Sequence, residues 1–252
     1  MPHYRTRAIN LKSHNLGEAD KIMVMYSREH GIIRCVAKGV KKTKSSLGAR
    51  MQCLTANNLL IAKGRNLDIV CQAENLECFD KVKTDLTKLS YSLYCTELIS
   101  HFGTEGDSNS AGIYDLLFET FKNISVFKTT EEVLWAVLRF KLKLAEYLGY
   151  AVELETCARC NKTEQKYKTY HFFCADTGGV VCSECFLKSR KTFEIDNRHI
   201  KLFKDALNYD FPFESEYFDK NLLFSSFNIL KEFISLRSDK KLKTPAIIEL
   251  LC

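Results

Sequence analysis

Four cysteines in two pairs, Cys157-x2-Cys160 and Cys182-x2-Cys185, constrain this chain more than any other feature. Their spacing is that of a four-thiolate zinc site, because a two-residue gap lets each pair curl one short knuckle around a tetrahedral ion. The 21 residues between the pairs lie just outside the usual window for such sites. Thr156-Cys-Ala-Arg-Cys-Asn161 supplies one expected knuckle and Val181-Cys-Ser-Glu-Cys-Phe186 the other, with Asp176-Thr-Gly-Gly179 as a glycine turn ahead of the second. Four thiolates close the coordination sphere, so one structural zinc ion is expected, with no open position for water or substrate. Two other assignments stay open: four unmetallated core cysteines, or a ligand set in which His171 or Cys174 replaces one of the four. A thioredoxin-like redox pair needs a C-x-x-C opening a helix in a βαβ unit, which this region does not resemble.

Eleven cysteines suggest disulfides only in a small secreted domain, and this chain of 252 residues is long enough to bury a real core. Its first residues enter an alternating pattern directly, without the apolar stretch of a secretion signal, so a reducing, cytoplasmic compartment is expected. No run approaches the roughly 18 apolar residues of a membrane span. The net charge of +6 is unevenly placed: residues 1–80 carry 13 Lys/Arg against 7 Asp/Glu, and residues 81–252 carry 24 against 24. An excess confined to one third of the chain marks a candidate polyanion-binding domain, a basic solvated surface being the plainer reading.

That first third reads as strands. Tyr4–Leu11 alternates, Ile22–Tyr26 is a buried-looking run, Arg28-Glu-His-Gly31 turns the chain, and Ile32–Lys38 follows. Gly39–Gly48 is a glycine-bracketed basic loop, and Asn58–Ala62 and Leu67–Gln72 are two further strands joined by Lys63-Gly-Arg-Asn66. Five short strands in about 75 residues suit a small Greek-key barrel such as an OB-fold, with a β-sandwich fragment as competitor. After Phe79 the period becomes helical. Thr84 or Asp85 can cap a helix to Phe102, a second helix spans about Ala111–Ile124, and a third opens on the capping box Thr129-x-x-Glu132 and ends before Gly149. Helices follow near His199–Tyr209, at Lys220–Leu236 and after Pro245. The expected fold class is therefore α+β and multidomain: an OB barrel over residues 1–80, then a helical domain over 81–252 with the zinc element inserted at about 155–190.

The motifs of phosphate-loop, dinucleotide, metalloprotease, hydrolase and zinc-deaminase enzymes are all missing, which lowers the expectation of catalysis. The basic residues fit binding better. Arg5, Arg7, Lys12, Lys21, Arg34, Lys38, Lys41, Lys42, Lys44, Arg50, Lys63 and Arg65 fall on strands and two loops, where OB barrels receive single strands. Before Phe79 the only aromatic residues are Tyr4 and Tyr26, too few for a stacking platform. Binding through backbone phosphates, leaving bases free and tolerating duplex, is expected, with a steep salt dependence.

Tyr4-Arg-Thr-Arg-Ala-Ile-Asn-Leu-Lys-Ser13, Gly17-Glu-Ala-Asp20, Glu29-His-Gly31, Val36-Ala-Lys-Gly39, Lys44-Ser45 and Gly48-x-Arg50 together resemble the bacterial recombination mediator family RecO. Gln72-Ala-Glu-Asn-Leu76, Glu146-Tyr-Leu-Gly-Tyr150, both cysteine pairs and Lys241-Leu-Lys-Thr244 extend the resemblance over essentially the whole chain. It implies an N-terminal OB-fold, a helical domain with a zinc-finger-like element, and a non-enzymatic role in DNA repair at the nucleoid. It also implies binding of single- and double-stranded DNA, strand annealing and, in the RecFOR pathway, loading of RecA with RecR onto DNA coated by single-strand binding protein. A zinc-containing OB-fold RNA-binding or translation-associated protein is the alternative. The resemblance further suggests contact with the acidic C-terminal tail of single-strand binding protein, for which helix 130–148 offers Arg139 and Lys143, with Lys141, beside Trp135, Phe140 and Leu144. Arg159, Lys162, Lys166 and Lys168 mark a possible second nucleic-acid contact at the zinc element.

Overall fold

The computed structural model describes residues 2–162, 171–186, 191–208 and 219–249. The chain divides into two compact units, Met1–Val126 with Ala246–Cys252 and Phe127–Pro245. The change from strand to helix falls near residue 80, as expected, but the first compact unit runs on to Val126 because three helices pack with the barrel.

Strands β1 (His3–Leu16), β2 (Asp20–Ser27), β3 (Gly31–Ala37), β4 (Ala56–Ala62) and β5 (Asp68–Glu77) close into a barrel in the order β1-β2-β3-β5-β4. Only the β3–β5 pairing is parallel, as in a five-stranded Greek-key OB barrel. Alternate residues point inward, and Ala8, Met23, Met25, Ile33, Cys35, Leu59, Ile61 and Val70 form the barrel core. The connector between β3 and β4 has no periodic pattern, yet it adds Val40, Leu47 and Met51 to this core. The basic loop is thus pinned at three points and folds as consecutive turns, Lys42 N–H to Gly39, Ser45 to Lys42 and Gly48 to Ser45.

A short helix α1 (Asp80–Lys83), then α2 (Leu86–Phe102) and α3 (Ser110–Val126), complete the first unit. Asp85 caps α2 by accepting the Lys88 N–H at 3.0 Å. The loop from α2 to α3 is tied to the β2–β3 side of the barrel. Ile32 N–H donates to the Thr104 carbonyl at 2.9 Å, the Tyr26 hydroxyl reaches Asp107 at 3.1 Å, and Arg28 makes a bidentate pair with Asp115. Gly31 sits at φ 65, and a Cβ there would lie 2.2 Å from the Thr104 oxygen, so this approach requires glycine. The consequence for function is direct. The outer face of β2–β3, where OB barrels ordinarily receive nucleic acid, is covered at the end near the β2–β3 turn, where Val24, Tyr26 and Ile32 are buried, while Arg34 stays exposed and Ile22 and Val36 half-exposed.

The second unit is built on α4 (Thr130–Tyr147), which packs against α5 (Asn197–Asn208) and α6 (Lys220–Ser235). A last helix, α7, spans Thr244–Glu249. The capping box expected at Thr129 is present, the Thr129 hydroxyl accepting the Glu132 N–H at 3.2 Å while the Glu132 carboxylate accepts the Thr129 N–H at 2.9 Å. Thr129→Ala is expected to destabilise the protein by about 1 kcal/mol, read as a lower urea midpoint with an unchanged slope. The α4 side chains Trp135, Phe140, Lys141 and Leu144 are buried. Lys141 donates to the Phe227 carbonyl at 2.8 Å, with its ammonium 3.5 Å from the Phe227 ring centroid. A three-stranded sheet, β6 (Phe172–Cys174), β7 (Gly179–Val181) and β8 (Thr192–Glu194), runs in the order β7-β6-β8. Among the described residues no helix is long and apolar enough to cross a membrane.

Candidate metal centre and nucleic-acid interface

The two cysteine knuckles are brought together by backbone pairing. Val180 N–H donates to the Glu153 carbonyl at 3.0 Å and Ala158 N–H to the Val180 carbonyl at 2.8 Å, which lays the first knuckle along β7. The Sγ atoms of Cys157, Cys160, Cys182 and Cys185 all lie within 4.8 Å of one another, and Cys160 and Cys182 are 3.8 Å apart. Tetrahedral zinc with Zn–S bonds of about 2.3 Å requires sulfur–sulfur separations of about 3.8 Å, so the donor set and its size fit that ion. Neither His171 nor Cys174 belongs to the cluster. Burial raises the Cys157 pKa, but N–H groups of Cys182, Arg159 and Cys160 aimed at its sulfur outweigh this and hold it at about 6. Cys185 is pushed up to about 12, mainly by hydrogen bonding with Cys160 and then Cys182. A cluster that shares protons this way, with thiolate-stabilising N–H groups in place, can surrender them to a cation.

Two of the cations expected to touch nucleic acid at the zinc element have partners within it. Lys162 pairs with Glu184 at 2.6 Å, joining the two knuckles, and Arg159 reaches the Cys174 sulfur at 3.7 Å. Lys166 and Lys168 lie outside the described residues.

On the barrel, pairing across β1, β4 and β5 aligns outward residues in rows. Arg7 faces Asn58, which faces Glu74; Arg5 faces Leu60, which faces Gln72. The connector arches over these rows and adds Arg50, producing a cleft of about 720 Å³ lined by Arg5, Arg7, Arg50, Asn58, Gln72 and Glu74. The Arg50 guanidinium donates to the Ser46 carbonyl. None of the three arginines forms an ion pair among the described residues. Glu29 and Glu74 are the carboxylates at its wall.

The remaining predicted cations fall into two other groups. Lys38, Lys41, Lys42 and Lys44 sit on the first half of the connector, and the Lys41 N–H donates to the Ala19 carbonyl at 3.0 Å, so this half lies beside the β1–β2 turn near Lys21. Arg34 and Lys63 line a separate hollow of about 390 Å³ and are neutralised there, Arg34 by Glu105 and Lys63 by Asp68 at 3.3 Å, with Arg65 exposed on the adjoining β4–β5 loop. Neither tyrosine offers an open stacking face: Tyr26 is buried, and Tyr4 donates to Asp68 at 2.8 Å under the Lys63 ammonium.

On α4 the structure corrects an expectation. The apolar side chains meant to line an open pocket beside Arg139 and Lys143 are buried, Trp135 at 1% exposure, Phe140 at 0% and Leu144 at 2%. Arg139 donates to the Ala206 carbonyl at 2.9 Å, near the C-terminal end of α5, and Lys143 pairs with Glu146 at 3.0 Å. The physical reason is that α4 is the central helix of its unit and is covered on nearly every side.

Two residues that matter here carried no signal in the sequence. Asn10 donates through one amide to the carbonyls of both Arg50 and Gln52, each at 2.8 Å, and Asn57 donates to the same Arg50 carbonyl at 2.8 Å. Both are fully buried inside the end of the barrel and hold Arg50 over the cleft. Asn10→Ala removes the donor to the Gln52 carbonyl and one of the two donors to the Arg50 carbonyl and leaves a space inside the barrel end, so a loss of about 1–3 kcal/mol is expected in chemical denaturation.

The description "Recombination protein O N terminal" matches residues 1–79, and "Recombination protein O C terminal" matches residues 83–246. The chain is 32% identical to the DNA repair protein RecO of Pelotomaculum thermopropionicum over 209 residues, covering 83% of this chain and 78% of that one. It is 30% identical to the RecO protein of Alkaliphilus metalliredigens over 238 residues, 94% of each. With that of Desulforamulus reducens it shares 28% identity over 253 residues, 100% of this chain and 96% of the relative. A closed OB barrel, a helical unit carrying a four-cysteine cluster and matches over both halves lead to one conclusion: the chain belongs to the recombination protein O family.

Proposed function

We propose that the protein is a non-enzymatic DNA-repair mediator that grips the phosphate backbone through its barrel, leaves the bases free, and so anneals complementary strands. The observation that carries this reading is the cleft of Arg5, Arg7 and Arg50, three cations that outnumber the two carboxylates of its wall and form no ion pair among the described residues, continued along one connector by Lys38, Lys41, Lys42 and Lys44. Guanidinium groups take phosphate oxygens bidentately, and each such contact releases condensed counterions. A buried Tyr26, a half-buried Tyr4 engaged by Asp68 and a partly covered β2–β3 face leave little of the stacking route that OB barrels otherwise use. The similarity to proteins known as DNA repair protein RecO supports the same role.

Within this reading the protein works in the bacterial cytoplasm at the nucleoid. It binds single- and double-stranded DNA and, with RecR, loads RecA onto DNA coated by single-strand binding protein. One structural zinc is held by Cys157, Cys160, Cys182 and Cys185, and any influence of it on DNA is indirect. The test is annealing of complementary oligonucleotides, with and without single-strand binding protein. Accelerated annealing in both conditions supports the proposal. Tight binding without annealing, or equal affinity for RNA, overturns it in favour of an RNA-binding OB protein.

A further inference from the structure

The β1–β2 hairpin projects beyond the closed barrel. β1 pairs with β4 only from His3 to Ile9; past the irregularity between Asn10 and Lys12, residues Lys12–Leu16 pair with β2 alone, Lys12 opposite Val24 through Leu16 opposite Asp20. Among the described residues nothing pairs with the other side of this stretch. All five of its residues are exposed, Leu16 at 40%. An open strand edge presents unpaired N–H and C=O groups in alternation, the template on which an extended peptide adds a strand.

The surroundings select the occupant. Lys12 lies on the edge and Lys21 opposite Asn15 on the hairpin partner, while the Lys41 ammonium donates to the Gly17 carbonyl at 3.3 Å and brings the connector lysines to the turn. The local carboxylates are Glu18 and Asp20, and Asp20 is engaged by the Gly39 N–H at 2.7 Å. Lys12 and Lys21 balance Glu18 and Asp20 on the hairpin itself, so the positive excess comes from the connector lysines at its turn, and pairing with a second copy would bring two such lysine clusters together, which like charges oppose. A nucleic acid answers the charge but supplies no alternating backbone donors and acceptors to complete a ladder. An extended acidic polypeptide answers both. We propose that the Lys12–Leu16 edge of the β1–β2 hairpin accepts, as an added β-strand, an acidic segment of another protein. This does not rest on the nucleic-acid role of the arginine cleft.

The test uses the full chain, a synthetic peptide alternating glutamate and threonine, and the same peptide with lysine for glutamate. Amide hydrogen exchange is followed at Lys12–Leu16, and peptide binding by fluorescence anisotropy. The glutamate peptide is expected to slow exchange on this edge, the lysine peptide to leave it unchanged, and Lys12→Glu with Lys21→Glu to weaken glutamate-peptide binding by about tenfold. Unchanged edge exchange with the glutamate peptide overturns the proposal. So does slowing produced instead by an oligothymidylate, which makes the edge a nucleic-acid surface, or by raising protein concentration alone, which makes it a self-association surface. Annealing is measured separately and without peptide, so failure here is separable from failure of the proposed function.

Discussion

Replacing Cys182 with serine is expected to abolish zinc binding and to loosen the sheet of the second unit, at a cost of several kcal/mol. Cys182 follows β7 directly and is 1% exposed. Its backbone N–H donates to the Cys157 sulfur at 3.4 Å, so in the proposed site it would serve both as ligand and as donor to the opposite knuckle. Strands β6, β7 and β8 are three residues each, too short to persist on their own ladders. Metal analysis of the reduced wild-type protein should find one zinc per chain, and of the variant close to none. Hydrogen exchange at Phe173, Val180 and Val181 should accelerate, while Met23, Ile33 and Ile61, which belong to the barrel core, stay protected. Reduced wild-type protein without zinc contradicts the assignment.

Removing the three cleft arginines together, Arg5→Ala, Arg7→Ala and Arg50→Ala, is the second large effect. If each phosphate contact contributes about 1 kcal/mol, the loss is roughly a hundredfold in single-strand affinity at low salt. The slope of log affinity against log salt should fall by about 2, at about 0.7 per lost contact. Arg34→Ala and Lys63→Ala serve as controls. Their charges are answered by Glu105 and Asp68, and little change is expected from either. An unchanged salt slope in the triple variant would place the phosphate track elsewhere, the lysine half of the connector being the next position to vary.

These expectations show which parts of the molecule are legible in the sequence. β2 and β3 are, because both faces are buried over much of their length and continuous runs of Ile, Met and Val mark them; the cysteine cluster is, because metal geometry restricts spacing. The outer half of β1 is not: residues 12–16 are exposed on both sides, so alternation disappears where the hairpin leaves the barrel. Val40, Leu47 and Met51 enter the core from irregular turns and leave no period. The three-residue strands around the cysteines fall below any pattern, and α4 is buried so broadly that its apolar stripe could not tell a covered face from an open one. The cleft depends on register between β1, β4 and β5, which are distant in sequence. Individual arginines were therefore recognisable as candidates, while their convergence, and the separation of Arg34 and Lys63 from them, required the folded barrel.

The most direct measurement of the central claim compares binding of an ordinary single-stranded oligonucleotide with that of an abasic strand of the same length and phosphate count. A protein that holds phosphates and leaves bases free binds the two within a few-fold, with equal salt slopes. Stacking is worth about 1–3 kcal/mol per base, so a loss of several orders of magnitude on the abasic strand would contradict the account.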